Sequence, residues 1–116
     1  MARGEMALST PARAAIENTD NNVFVSAASA WEIATKFRLG KLPGAAAAAA
    51  DLAHVVAGQG FLHLPICFAR GQAAGTLDGP HRDPFDRMLM AQAMLDNMVL
   101  VSNEQRFDAY GVRRLW

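Results

Sequence analysis

The 116 residues predict an α/β domain in which a mainly parallel sheet is flanked by helices. Two observations carry this reading. Short apolar runs (Val23-Phe24-Val25, Phe61 to Leu64, Met98 to Val101 and Val112 to Trp116) alternate with segments of helical character, the pattern of parallel strands joined by crossover helices. An apolar fraction of 52% supplies a core for one domain over residues 1–116 rather than a disordered chain.

Taken in order, Ser9-Thr10-Pro11 opens a short helix through Glu17, and Asn18 to Asn22 form a polar turn before the first strand. Ser26 to Lys41 is the second helix. Ser29 and Glu32 fit an S-x-x-E capping box, and Ala30, Ile33, Ala34 and Phe37 make an apolar stripe. That stripe leaves Glu32 facing away, and Gly40 marks the stop. Gly44 and six alanines favour a third helix, which Asp51 to Gly58 continue with Leu52, Val55 and Val56 on one side.

Pro65 stops the strand at 61–64, Cys67 to Ala74 form a short helix ending near Gly75, and a polar loop runs from Thr76 to Arg82. Pro84 is pre-set for a first helical position, so Asp83 becomes the N-cap and Asp86 the third helical residue, a D-x-x-D version of the capping box. From Met88 to Leu95 only Gln92 is polar, so Asp86 heads a row through Met90 and Ala93 that must be buried. Asn97 closes this helix. Glu104 to Tyr110 form a helical turn ended by Gly111, between the strands at 98–101 and 112–116.

Composition excludes more than it identifies. Eleven basic and eleven acidic side chains cancel, so nothing overall advertises nucleic acid, although a local patch could serve. The single Cys67 excludes an intrachain disulfide and a multi-cysteine zinc site, and reads as a small buried hydrophobe. No run approaches the length of a membrane span and the start lacks a signal-peptide pattern, so a cytoplasmic protein is expected.

Parallel α/β sheets place their sites outside the carboxyl ends of the strands. Glu32 follows the strand at 23–25, Glu104 follows the strand at 98–101, and Asp86 stands at a helix start that can reach the same edge. Three converging carboxylates without His or Cys ligands suit a hard cation such as Mg²⁺. Such an ion at a phosphate ester supports phosphodiester hydrolysis. Each acid also has a structural explanation. Asp83 and Asp86 can be caps, Glu104 can begin its helix, and Glu32 can pair with Lys36 for roughly 0.2–0.5 kcal/mol. Lys36, Arg38 and Lys41 suit the end of the second helix or a phosphate, and Arg82 and Arg87 flank the acids as phosphate contacts or as neutralising charge. His54, His63 and His81 are isolated and read as structural or surface residues.

The segments "LSTPARAAIE", "VFVSAASAWEIATKFRLGKLP", "HRDPFDRMLMAQA", "LVSNEQRFDAYGV" and the final "LW" stand in the order of a known family. Through them the chain resembles VapC-type toxins of the PIN-domain family, ribonucleases of bacterial toxin–antitoxin modules. The resemblance implies a three-layer sandwich and a Mg²⁺-dependent endoribonuclease, with Mn²⁺ as an alternative ion. It implies a VapB-type antitoxin, an RNA substrate and a homodimer as partners. By position Glu32 is similar to the family's second acid, Asp86 to the third and Glu104 to the fourth, which is usually Asp. Asp83 would support the metal shell, and Ser102 would orient water or a ligand. Against the family pattern the chain is expected to lack the first, central strand with its acidic ligand and most of the first helix. That expectation predicts unpaired backbone on the neighbouring strands and weak or no nuclease activity. The alternative function is a catalytically inactive PIN-like fragment that binds an antitoxin or partner chain.

Overall fold

Three of the described α-helices begin where a short polar side chain can take up a free backbone N–H. Ser9 Oγ accepts from the Ala12 amide at 3.2 Å and opens α1 (Thr10–Glu17). Ser26 Oγ accepts from the Ala28 amide at 3.0 Å, turning β1 (Phe24–Ser26) directly into α2 (Ala27–Arg38). After β2 (Leu62–Leu64) and α3 (Phe68–Thr76), Asp83 Oδ1 accepts from the Asp86 amide at 3.1 Å to start α4 (Pro84–Leu95). The chain ends with β3 (Leu100–Val101), a 3-10 helix (Gln105–Tyr110) and β4 (Arg114–Leu115). This computed structural model describes residues 8–41 and 57–116, so the helix expected over 44–58 falls almost wholly outside the described residues.

The architecture is α/β with parallel strands. β1 pairs with β2 in the register Phe24 to Leu62, Val25 to His63 and Ser26 to Leu64. β3 pairs with β4 in the register Leu100 to Arg114 and Val101 to Leu115. Among the described residues these are two separate two-stranded sheets, with no ladder from β1 to β3. Phe24, Leu62 and Val99 stay substantially exposed beside them.

Helix α4 packs against α2, α3 and β3. Its row Met90 and Ala93 joins Phe107 and Val112 in the core, with Leu77, Leu100 and Tyr110 packed around them. Gln92, the lone polar residue of the apolar run, is buried because both ends of its amide are used. The Ser26 hydroxyl donates to its Oε1, and its Nε2 donates to the Pro65 carbonyl at 3.2 Å. One side chain therefore fixes α4 to the end of β1 and to the chain leaving β2.

Three expectations are corrected. The cap of α2 is Ser26 rather than Ser29, because the strand ends one residue before the helix and leaves Ser26 extended at the junction. Ser29 and Glu32 lie inside the helix, and with Ala28 they form its buried face, whereas Ala34 and Phe37 of the supposed apolar stripe are exposed. Hydrophobic spacing misled here because α2 buries a polar pair. Cys67 is exposed rather than buried, since it stands at the start of α3. There the Arg70 and Ala69 amides and the Arg70 guanidinium together hold its thiol below the ordinary value.

Candidate functional site

The helix mouth at 83–86 places Asp86 beneath the surface, 6% exposed, as the capping geometry of Asp83 and Pro84 requires. A buried carboxylate needs donors. His81 supplies one, its Nε2 lying 2.9 Å from Asp86 Oδ2 with both side chains nearly sealed from solvent. The imidazole is held in turn. Its backbone amide donates to the Tyr110 hydroxyl at 2.8 Å, and the ring meets Phe107 and Tyr110 edge-on at 5.7 and 6.4 Å.

Arg87 completes the support from behind. Its guanidinium donates to the Ala74 carbonyl at 2.9 Å, the His81 carbonyl at 2.8 Å and the Leu77 carbonyl. It thus ties the loop before α4 to its own helix, and these bonds point the fork at backbone rather than at the acids. Arg82, the other flanking arginine, is exposed.

Glu104 arrives from the carboxyl end of β3. Ser102, 4% exposed, accepts the Glu104 amide on its Oγ at 3.0 Å and receives Arg114 on its carbonyl at 3.0 Å, which fixes the turn. Glu104 Oε1 then caps the 3-10 helix by accepting the Arg106 amide at 3.1 Å. The Arg106 side chain closes both carboxylate oxygens, Nε on Oε1 at 2.9 Å and Nη2 on Oε2 at 2.8 Å. This doubly donated guanidinium, helped by the amide and by the charge of His81, holds the Glu104 carboxyl down at about 2. Arg106 is stabilised as a cation first by Glu104 and also by the charges of Asp86 and Asp83. Asp83, Asp86, His81, Glu104 and Arg106 therefore form one electrostatic neighbourhood.

Glu32 stands on α2. Trp31 meets Phe85 edge-on with ring centroids 4.7 Å apart, so Glu32 and Asp86 each lie one residue beyond a packed aromatic pair. Glu32 is 6% exposed, and its Oε2 accepts from Lys36 Nζ at 3.0 Å. Beside this contact an apolar pocket is lined by Ala28, Trp31, Ile66, Phe85 and Met88 among others.

As donors, these carboxylates suit a hard divalent cation. Their arrangement does not fit one. Each of Glu32, Asp86 and Glu104 is taken up by Lys36, His81 or Arg106, and among the described residues no three His, Cys, Asp or Glu side chains form a group able to hold a metal ion.

Two residues of this neighbourhood were not legible as such. His81, whose isolation in the sequence suggests a structural or surface role, is the partner of Asp86, and Arg106 lies outside the residues that the sequence motifs mark. A Glu followed two residues later by Arg at a helix start was the available signal for Arg106. For His81, five residues from Asp86 across a loop, no helical spacing could have found the pair.

Residues 6–112 match the family described as PIN domain. Over 31 residues the chain is 58% identical to Ribonuclease VapC16 of Mycobacterium tuberculosis (strain ATCC 25618 / H37Rv). That stretch covers 27% of this chain and 22% of the relative, about a fifth of its length. No solved structure matches the chain. The family match spans most of the residues, from before α1 to just before β4, and it agrees with the parallel α/β topology. The chain belongs to the PIN-domain family.

Proposed function

We propose that the protein is an endoribonuclease toxin of a toxin–antitoxin pair, acting with Mg²⁺ or Mn²⁺ on RNA phosphodiester bonds. The observation that carries this reading is the burial of Asp86 at the start of α4, with Glu104 just beyond the carboxyl end of β3 and electrostatically linked to it through His81 and Arg106. Buried carboxylates are uncommon without a task or a partner. Glu32 is a further buried acid, on the helix that meets α4 through the Trp31–Phe85 contact, and Asp83 caps the helix that carries Asp86. Lys36 and Arg106 are cations within reach of an RNA backbone that enters here, and Arg82 offers a further exposed one.

The partner in this reading is a VapB-type antitoxin that covers the acidic edge. The apolar pocket at Trp31, Phe85 and Ile66 adjoins that edge and suits an apolar side chain of the covering segment. The same reading takes the toxin as a homodimer working in the cytoplasm, and no described helix is long and apolar enough to cross a membrane.

The second reading, a catalytically inactive fragment that binds an antitoxin or partner chain, draws on a different observation: all three acids have partners among the side chains of the chain itself. One pair of assays separates the two. RNA cleavage by the purified chain that stops on chelation and on Asp86→Asn supports the nuclease. Antitoxin capture without any metal-dependent cleavage leaves the binding module alone.

A further inference from the structure

The arginines around the acids differ in what holds them. Arg87 spends its fork on three backbone carbonyls, and Arg114 divides its own between Asp108 and the Ser102 carbonyl. Among the described residues the Arg106 side chain donates to Glu104 alone, Nε to Oε1 at 2.9 Å and Nη2 to Oε2 at 2.8 Å. Glu104 is anchored independently of that fork, because Oε1 also accepts the Arg106 amide at 3.1 Å and caps the 3-10 helix. The guanidinium can therefore leave while the carboxylate stays. With the Arg106 side chain 70% exposed, it leaves directly into solvent.

Exposed ion pairs are weak and screened. A guanidinium fork matches the two free oxygens of a phosphodiester as well as it matches a carboxylate. Serving both anions at once would set their charges side by side, so one excludes the other. We propose that Glu104 is an internal competitor of RNA: it occupies the Arg106 fork in the free chain, and a backbone phosphate takes that fork from it, which makes Arg106 a phosphate-binding residue whose affinity Glu104 sets. The proposal rests on the nuclease reading for the class of ligand, and the exchange itself involves no metal ion. A phosphate contact carries no base information, so the competition lowers affinity for every RNA sequence alike.

The experiment titrates a labelled 2′-O-methyl RNA oligonucleotide with the full chain in EDTA and follows fluorescence anisotropy at several salt concentrations. Arg106→Gln should weaken binding about threefold or more and lower the slope of log affinity against log salt by about 0.7, the share of one phosphate on a single strand. Glu104→Gln, whose amide oxygen still caps the helix, should tighten binding about two- to fivefold, the scale of an exposed pair. In the Arg106→Gln background the same change should give no gain. Arg106→Lys, which keeps the charge without the fork, should lie between the parent and Arg106→Gln. Thermal melts should show that these exposed substitutions leave the fold intact. An equal gain from Glu104→Gln in both backgrounds would mean that the acid merely repels RNA, and it overturns the proposal. So does parental affinity in either single variant, or a parent that binds no oligonucleotide. Cleavage of unmodified RNA in Mg²⁺ is read separately. The expected binding pattern without cleavage removes the nuclease reading and leaves the competition, whereas cleavage by the parent with unchanged binding in Glu104→Gln removes the competition alone.

Discussion

His81 and Asp86 meet at 2.9 Å between Nε2 and Oδ2, with side-chain exposures of 7% and 9%. A carboxylate can only accept, so the imidazole carries its hydrogen on Nε2. Removing the ring in His81→Ala takes one donor from a buried carboxylate and should destabilise the fold by about 1–3 kcal/mol. His81→Gln retains a donor and should lose less. Urea unfolding at neutral pH reads both, and equal losses would mean that packing on Phe107, not the hydrogen bond, is what His81 contributes.

The loop that delivers His81 depends on Gly79. Its φ of 143° disfavours a side chain, and a Cβ there would fall 2.6 Å from Tyr110 Cζ. Gly79→Ala should cost about 1–3 kcal/mol through this overlap. The clash is specific to one ring, so Gly79→Ala combined with Tyr110→Ala should be less destabilised than the sum of the two single variants. Additive losses would show that backbone strain, rather than the ring, is responsible.

Arg87 is predicted to act on stability before it acts on RNA. Its fork serves the carbonyls of Ala74, Leu77 and His81, so Arg87→Ala should cost about 1.5–3 kcal/mol. Arg87→Lys should recover only part, since an ammonium cannot span the three acceptors. Amide exchange in residues 77–82 should accelerate in both variants. A variant with wild-type stability and exchange but weakened RNA binding would reverse this assignment.

The Glu104–Arg106 pair sets an acid limb of stability. The Glu104 carboxyl is lowered from 4.5 to about 2, so the folded chain holds its proton less firmly than the unfolded chain. A depressed carboxylate contributes stability that is whole above about pH 4.5 and is lost as pH falls through about 2. Asp96 beside Arg70 and Asp108 beside Arg114 are lowered by the hydrogen bonds from those arginines and add in the same direction. Urea midpoints should therefore fall between pH 5 and pH 2.5, and Arg106→Gln should flatten that fall. An unchanged slope in the variant would place the acid sensitivity elsewhere.

Local chemistry was legible along the chain. Asp83 before Pro84 reads as a cap at sight, and the structure places the Asp86 amide on it because capping involves only neighbouring residues. The burial of Asp86, Met90 and Ala93 follows from helical spacing, and the turn of Gly111 into the left-handed region ends the 3-10 helix where a glycine suggests it should. Ser26 was the harder case. Two serines were available to start α2, and the choice went to the one at the strand end, whose hydroxyl also donates to Gln92, 66 residues away.

Contacts of that kind have no local signal. Which face of α2 is buried depended on the elements packed around it, and Ser29 and Glu32 went inside instead of Phe37. The fork of Arg87 and the ring of His81 found their partners across a loop whose path is set by Tyr110. Elements, caps and the identity of the acids came from residue types a few positions apart, where backbone geometry alone settles the outcome. The partners of those acids were decided in three dimensions, because a buried carboxylate takes whichever donor the packed fold brings within hydrogen-bonding distance.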